Sequence, residues 1–162
     1  MPSAIVIIGI GNEYRGDDAA GLAVARRVRG TESAPPGLIV IEASGEGAAL
    51  MDAWNGADAV ILIDAVMSGA AAGTIHRFDA RARPVPAGFL HYSTHAFSVA
   101  EAIELARVLN RLPPRLLLYG IEGKSFETGI GLSEEVELAV GEAAARVISE
   151  IHSIHRAAIR RD

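Results

Sequence analysis

Short apolar runs alternate along the chain with stretches whose apolar positions recur every three or four residues. Ala4 to Ile8 is a continuous apolar run closed by Gly9, the pattern of a buried strand. A polar loop follows, GIGNEYRGDD. From Asp17 the pattern becomes helical, with Leu22, Ala23, Val24 and Val28 on one side and Arg26, Arg27 and Arg29 outside it. Two acids in its first turn and three arginines near its end complement the helix dipole. Pro35–Pro36 closes this unit, and the second strand is expected at 38–43.

SGEGAALMDAW predicts a glycine-rich turn leading into a short helix, followed by a third strand at 59–64 that ends in Asp64. A fourth strand near 73–78 is separated from the third by too few residues for a helical crossover, so it is expected to be antiparallel or marginal. Ser98 with Glu101 forms a capping box, and Phe97 outside it is placed for a hydrophobic staple. That helix is expected to run to about Leu112, before Pro113–Pro114. The last strand is expected at 115–121, and a long helix over Ser133 to Glu150 that the tail extends or leaves frayed. The sum is one α/β domain over 1–162: three layers, with a mostly parallel, twisted five-stranded sheet and helices on both faces.

The 162 residues are half hydrophobic, enough for one core, and 15 basic against 20 acidic residues leave a formal charge of −5. With a single lysine, Lys124, there is no footprint for nucleic acid. Cysteine is absent, which removes disulfides, thiolate metal sites and cysteine nucleophiles. No run reaches the ~18 apolar residues of a membrane span, and MPSAIVIIGIGN lacks the basic start of a secretory signal. The expected partner is therefore not a membrane, and the default compartment is the cytoplasm.

In open parallel sheets, ligands bind outside the carboxyl ends of the strands. Asp17–Asp18 after the first strand, Asp64 ending the third and His95 in the loop before the Ser98 helix all map to that edge. Two carboxylates and an imidazole suit a borderline divalent ion such as zinc or nickel. Without metal, the same acids could share a proton and activate water. The plainer reading of Asp17 and Asp18 is helix capping, and His91 could replace His95. His76, His152 and His155 read as ordinary residues. Glu42 and Glu46 either line the cleft or serve as turn acids. Gly9 and Gly11 suggest a dinucleotide fold, with Glu42 as the ribose acid, but Tyr14 stands where the third glycine belongs. There is no HExxH, GxSxG or Walker loop.

At IGIGNEYRGDDAAG (8–21), LIDAV (62–66), STHAFSVAEAIELA (93–106) and YGIEGKSFETGIGLSEEV (119–136), the sequence resembles the hydrogenase maturation endopeptidases. The resemblance implies an enzyme that removes a C-terminal peptide from the nickel-loaded precursor of a nickel-iron hydrogenase large subunit. It implies a metal trio of Asp18, Asp64 and His95, and favours His95 over His91. The nickel is expected to arrive with the precursor, with Asp18 or Asp64 as general base. In this reading Asp17 orients the helix mouth and Asn12 hydrogen-bonds across its loop. Glu42, Glu46 and Gly47 fall where many members carry an aspartate–glycine–glycine–threonine–x–glycine segment linked to substrate recognition. Only the acidic lead and Gly47 are kept here, and Gly123 stands where proline is common. The protein is expected to be a monomer that docks transiently on the precursor. The rival readings are a module that recognises a nickel-loaded protein without cutting it and, more remotely, a dinucleotide enzyme.

Overall fold

A computed structural model describes residues 4–86, 88–90 and 97–161. Strands β1 (Ile5–Ile10), β2 (Leu38–Ala43), β3 (Ala59–Val66), β4 (Ile75–Asp79) and β5 (Arg115–Glu122) form one sheet in the order β2-β1-β3-β5-β4. The first four in that order are parallel; β4 runs antiparallel along the edge of β5, as the short connection requires.

The alternation of the strands divides two cores. Ile5, Ile7, Ile61 and Ile63 face helices α1 (Ala20–Arg29) and α4 (Glu134–Arg161). Val6, Ile8, Val60 and Leu62 face α2 (Gly47–Trp54) and α3 (Val99–Val108). This gives the expected three layers. All eight residues of β3 are buried, as a central strand covered on both faces demands.

The element ends depart from expectation in instructive ways. β1 continues through Gly9 to Ile10, because a side chain at Gly9 would strike the Gly21 carbonyl and Ala25 of α1. Glycine here permits close helix–strand approach and does not end the strand. α3 stops at Val108, and Asn110 takes the left-handed conformation (φ 56°) common just after a helix. α4 runs on to Arg161, since Ile151 and Ile154 keep the buried stripe going beyond Glu150. Among the described residues, no helix is long and apolar enough to cross a membrane.

Strand order reverses between β1 and β3: the chain passes from β1 outward to β2, then returns to the other side. Such a switch point opens a crevice at the carboxyl ends of the two strands.

Candidate active site

The crevice is a cleft of about 990 Å³ whose lining includes Ile10, Asn12, Tyr14, Asp18, Glu42 and Asp64. The turn after β1 builds one wall. Gly11 (φ 156°) allows the chain to fold back where any side chain would meet the Asp18 carbonyl. Asn12 N–H donates to that carbonyl at 3.3 Å, and Arg15 N–H donates to the Asn12 carbonyl at 3.2 Å. The Asn12 side chain acts locally: its Oδ1 accepts from Tyr14 N–H at 2.9 Å, two residues on. It therefore tightens the turn and does not span the loop.

Three carboxylic acids are buried among the described residues: Asp17, Asp64 and Glu122. Their surroundings separate them. Burial works to raise the Asp17 pKa, but amide bonds from Ser133, Ser125 and Lys124, with the Ser133 hydroxyl, outweigh it and hold the group below its ordinary value. Burial likewise opposes ionisation of Glu122, yet bonds from Ser68 (Oγ at 2.5 Å, N–H at 2.9 Å) and the His76 Nε2 contact at 3.2 Å keep its pKa low.

Asp64 is the contrary case. Burial and then the nearby charge of Asp18 push its pKa well above the ordinary value. Only the Ala65 N–H, at 2.8 Å, works against them. It lies two residues before the end of β3, on the same strand face as Val60 and Leu62, and opens on the cleft. A buried acid whose burial and neighbouring charge outweigh its backbone donor, beside a second acid and reachable from solvent, is the pattern of a functional carboxylate.

The remaining predicted residues divide between cleft and support. Glu42, one residue before the end of β2 and in the cleft lining, is held by Arg26 (Nε 3.0 Å, Nη2 2.8 Å) and Arg29 (Nη1 2.8 Å), which lower its pKa. Glu46 caps α2, accepting from Ala48 N–H at 3.0 Å and Ala49 N–H at 2.9 Å. Gly47 packs against the Phe97 ring, and its N–H donates to the Phe97 carbonyl at 2.8 Å. Asp17 turns its carboxylate away from the cleft, to the loop between β5 and α4.

His91 and His95 lie outside the described residues. The described chain stops before them at Leu90, which bridges to Val66 at the end of β3, and resumes at Phe97. Leu90 and Ser98 both line the cleft. Ser98 forms the expected capping box, its Oγ accepting from Glu101 N–H at 3.4 Å and donating to Glu101 Oε1 at 3.1 Å. Among the described residues, no three His, Cys, Asp or Glu side chains gather as a metal site.

Glu122 was not anticipated from the sequence, although it carried the same signal as Asp64, an acid closing an apolar strand (RLLLYGIE). The arginine clasp on Glu42 had no sequence signal, because it depends on α1 lying beside β2.

Residues 22–150 match the HycI family, hydrogenase maturation protease. The chain belongs to that family. It is 27% identical over 160 residues to the hydrogenase 2 maturation protease of Escherichia coli K12, covering 98% of this chain and 96% of that one. It is 24% identical to the hydrogenase expression/formation protein HupD of Rhodobacter capsulatus, over 88% of this chain and 70% of that one. In three dimensions it is similar to the hydrogenase maturating endopeptidase HybD from E. coli, with TM-score 0.80, 25% identity and 92% of each chain covered. HybD of Thermococcus kodakarensis superposes with TM-score 0.69 at 26% identity, over 88% of this chain and 95% of that one. This hydrogenase maturation protease family member is accordingly a peptidase, and the family assignment replaces the dinucleotide alternative.

Proposed function

We propose that the protein removes a C-terminal peptide from the nickel-loaded precursor of a nickel-iron hydrogenase large subunit, and that Asp18, Asp64 and His95 receive the nickel as part of that substrate. One observation carries the reading: the Asp18–Asp64 pair in the switch-point cleft, where burial and the Asp18 charge raise the proton affinity of Asp64 and so strengthen it as a base. Carboxylate and imidazole donors without thiolate suit a borderline divalent cargo held reversibly.

Hydrolysis needs a base for the attacking water. A carboxylate of ordinary pKa is a weak base at neutral pH, and a raised one is better matched to the task. Asp64 takes a proton from water as the water oxygen attacks the scissile carbonyl carbon. The same proton passes to the leaving amide nitrogen as the carbon–nitrogen bond breaks. The Asp18 charge raises the proton affinity of Asp64, and nickel docks the substrate beside the pair. Glu42, held by Arg26 and Arg29, forms the far wall, where the incoming chain is recognised. The same proposal takes residues 1–162 as one domain, acting as a monomer in the cytoplasm.

The test mixes purified protein with nickel-loaded and nickel-free precursor from the same organism and reads intact mass. Loss of a C-terminal peptide from the loaded form alone supports the proposal. Nickel-dependent binding with no mass change in either form would leave a recognition module.

A further inference from the structure

Asp17 is a buried carboxylate that the proposed hydrolysis leaves without a task. Its Oδ1 accepts from Ser133 N–H at 2.8 Å, and its Oδ2 from Lys124 N–H at 2.8 Å, Ser125 N–H at 3.0 Å and Ser133 Oγ at 2.9 Å. These partners lie more than 100 residues away, with separations of 107, 108 and 116. Backbone bonds continue the join. Asp17 N–H donates to the Ser125 carbonyl and Gly16 N–H to the Gly129 carbonyl, each at 2.9 Å, while Gly129 N–H donates to the Tyr14 carbonyl at 2.8 Å.

The two loops have different positions. The 12–18 turn lines the cleft through Asn12, Tyr14, Arg15 and Asp18, whereas no residue of 124–133 does. The second loop therefore stands behind the first as a support. Side chains at 17 and 18 divide accordingly, one turned to the support and the other into the cleft.

We propose that Asp17 is a positioning residue: its four accepted hydrogen bonds brace the Tyr14–Asp18 turn against the 124–133 loop and so place the Asp18 carboxylate opposite Asp64. This rests on the endopeptidase reading for its catalytic consequence, but the brace itself is independent of it. Asparagine cannot serve, because its amide group would set N–H donors against the backbone donors of Ser133 or of Lys124 and Ser125.

The test compares full-length wild type with Asp17→Asn, Ser133→Ala and Ser133→Thr. Ser133→Ala removes one of the four bonds, so it keeps the test open if Asp17→Asn fails to fold. Amide hydrogen exchange is expected to quicken about tenfold in both disrupted variants at Lys124, Ser125 and, across the brace, Asp18. Cleavage of nickel-loaded precursor is expected to lose ~10–100-fold in kcat with KM within about twofold, since small misplacement of a reacting group is costly. Ser133→Thr, which keeps the hydroxyl, is expected to restore both. Unchanged exchange at Asp18 with unchanged kcat in Ser133→Ala would overturn the proposal, as would an effect on KM alone. If wild type cleaves no precursor, the endopeptidase reading fails by that result, and exchange at Asp18 still decides the brace.

Discussion

Asp18 and Asp64 face one cleft closely enough that the charge of the first strengthens the hold of the second on its proton. The consequence is a stability that depends on pH in a stated direction. Asp64 has its folded pKa above its unfolded one, so its stabilising contribution is complete below the ordinary aspartate range and is lost as pH rises through the folded pKa. Asp64→Asn cannot lose what wild type loses. It is expected to match wild type near pH 4 and to exceed it by roughly 1–3 kcal/mol at neutral pH, the scale of relieving a buried, poorly satisfied polar group. Denaturant unfolding across that pH range reads the difference.

Glu122 predicts the opposite sign. Its pKa is held down by Ser68 and His76 against the pull of burial, so its contribution is present above the ordinary glutamate value and fades as pH falls through the folded one. Glu122→Gln is expected to cost roughly 1–3 kcal/mol at neutral pH and progressively less in acid. The same pH series of unfolding curves checks it, and a constant deficit would count against the assignment.

The strand pattern, the antiparallel edge strand and the Ser98–Glu101 cap were legible in the sequence because each rests on local spacing. Asp64 was legible for a similar reason: an acid in a strand as apolar as AVILIDAV needs an explanation. The partners of Asp17 at 124, 125 and 133 are not legible in the sequence, where it reads as a helix-mouth acid, because only the tertiary fold brings them to it. The sequence leaves Glu46 as either a cleft residue or a turn acid, and the structure makes it the cap of α2. Gly9 reads as a terminator in the sequence, which does not reveal that a helix presses on the strand at that point.

The packing of α1 on the sheet makes Gly21 the least replaceable residue of that helix. A β-carbon there would collide with the carbonyls of Ile10 and Ile63, both backbone and unable to yield. Gly21→Ala is expected to lose ~3 kcal/mol or more, despite the better helix propensity of alanine. Thermal unfolding checks this, and a neutral or stabilising result would contradict the packing described.

On the opposite edge, Tyr119 Oη donates to Glu150 Oε2 at 2.7 Å, and Arg77 meets the same carboxylate through Nε at 3.0 Å and Nη2 at 2.9 Å. This clasp ties β4, β5 and α4 together. Burial first, and then the Glu150 bond and charge, push the Tyr119 phenol up to about 12. In a spectrophotometric titration, the difference between wild type and Tyr119→Phe should show a phenol ionising near that value. A titration near the ordinary tyrosine value of ~10 would mean the clasp is open in solution.

In the proposed hydrolysis, Asp64 is the working carboxylate of the peptidase. Single-turnover cleavage of nickel-loaded precursor at saturating enzyme, followed by intact mass for wild type and Asp64→Asn, tests it most directly. Wild type is expected to release a C-terminal peptide and Asp64→Asn to do so at least ~100-fold more slowly, the scale of a lost general base. Cleavage by folded Asp64→Asn at the wild-type rate would contradict it.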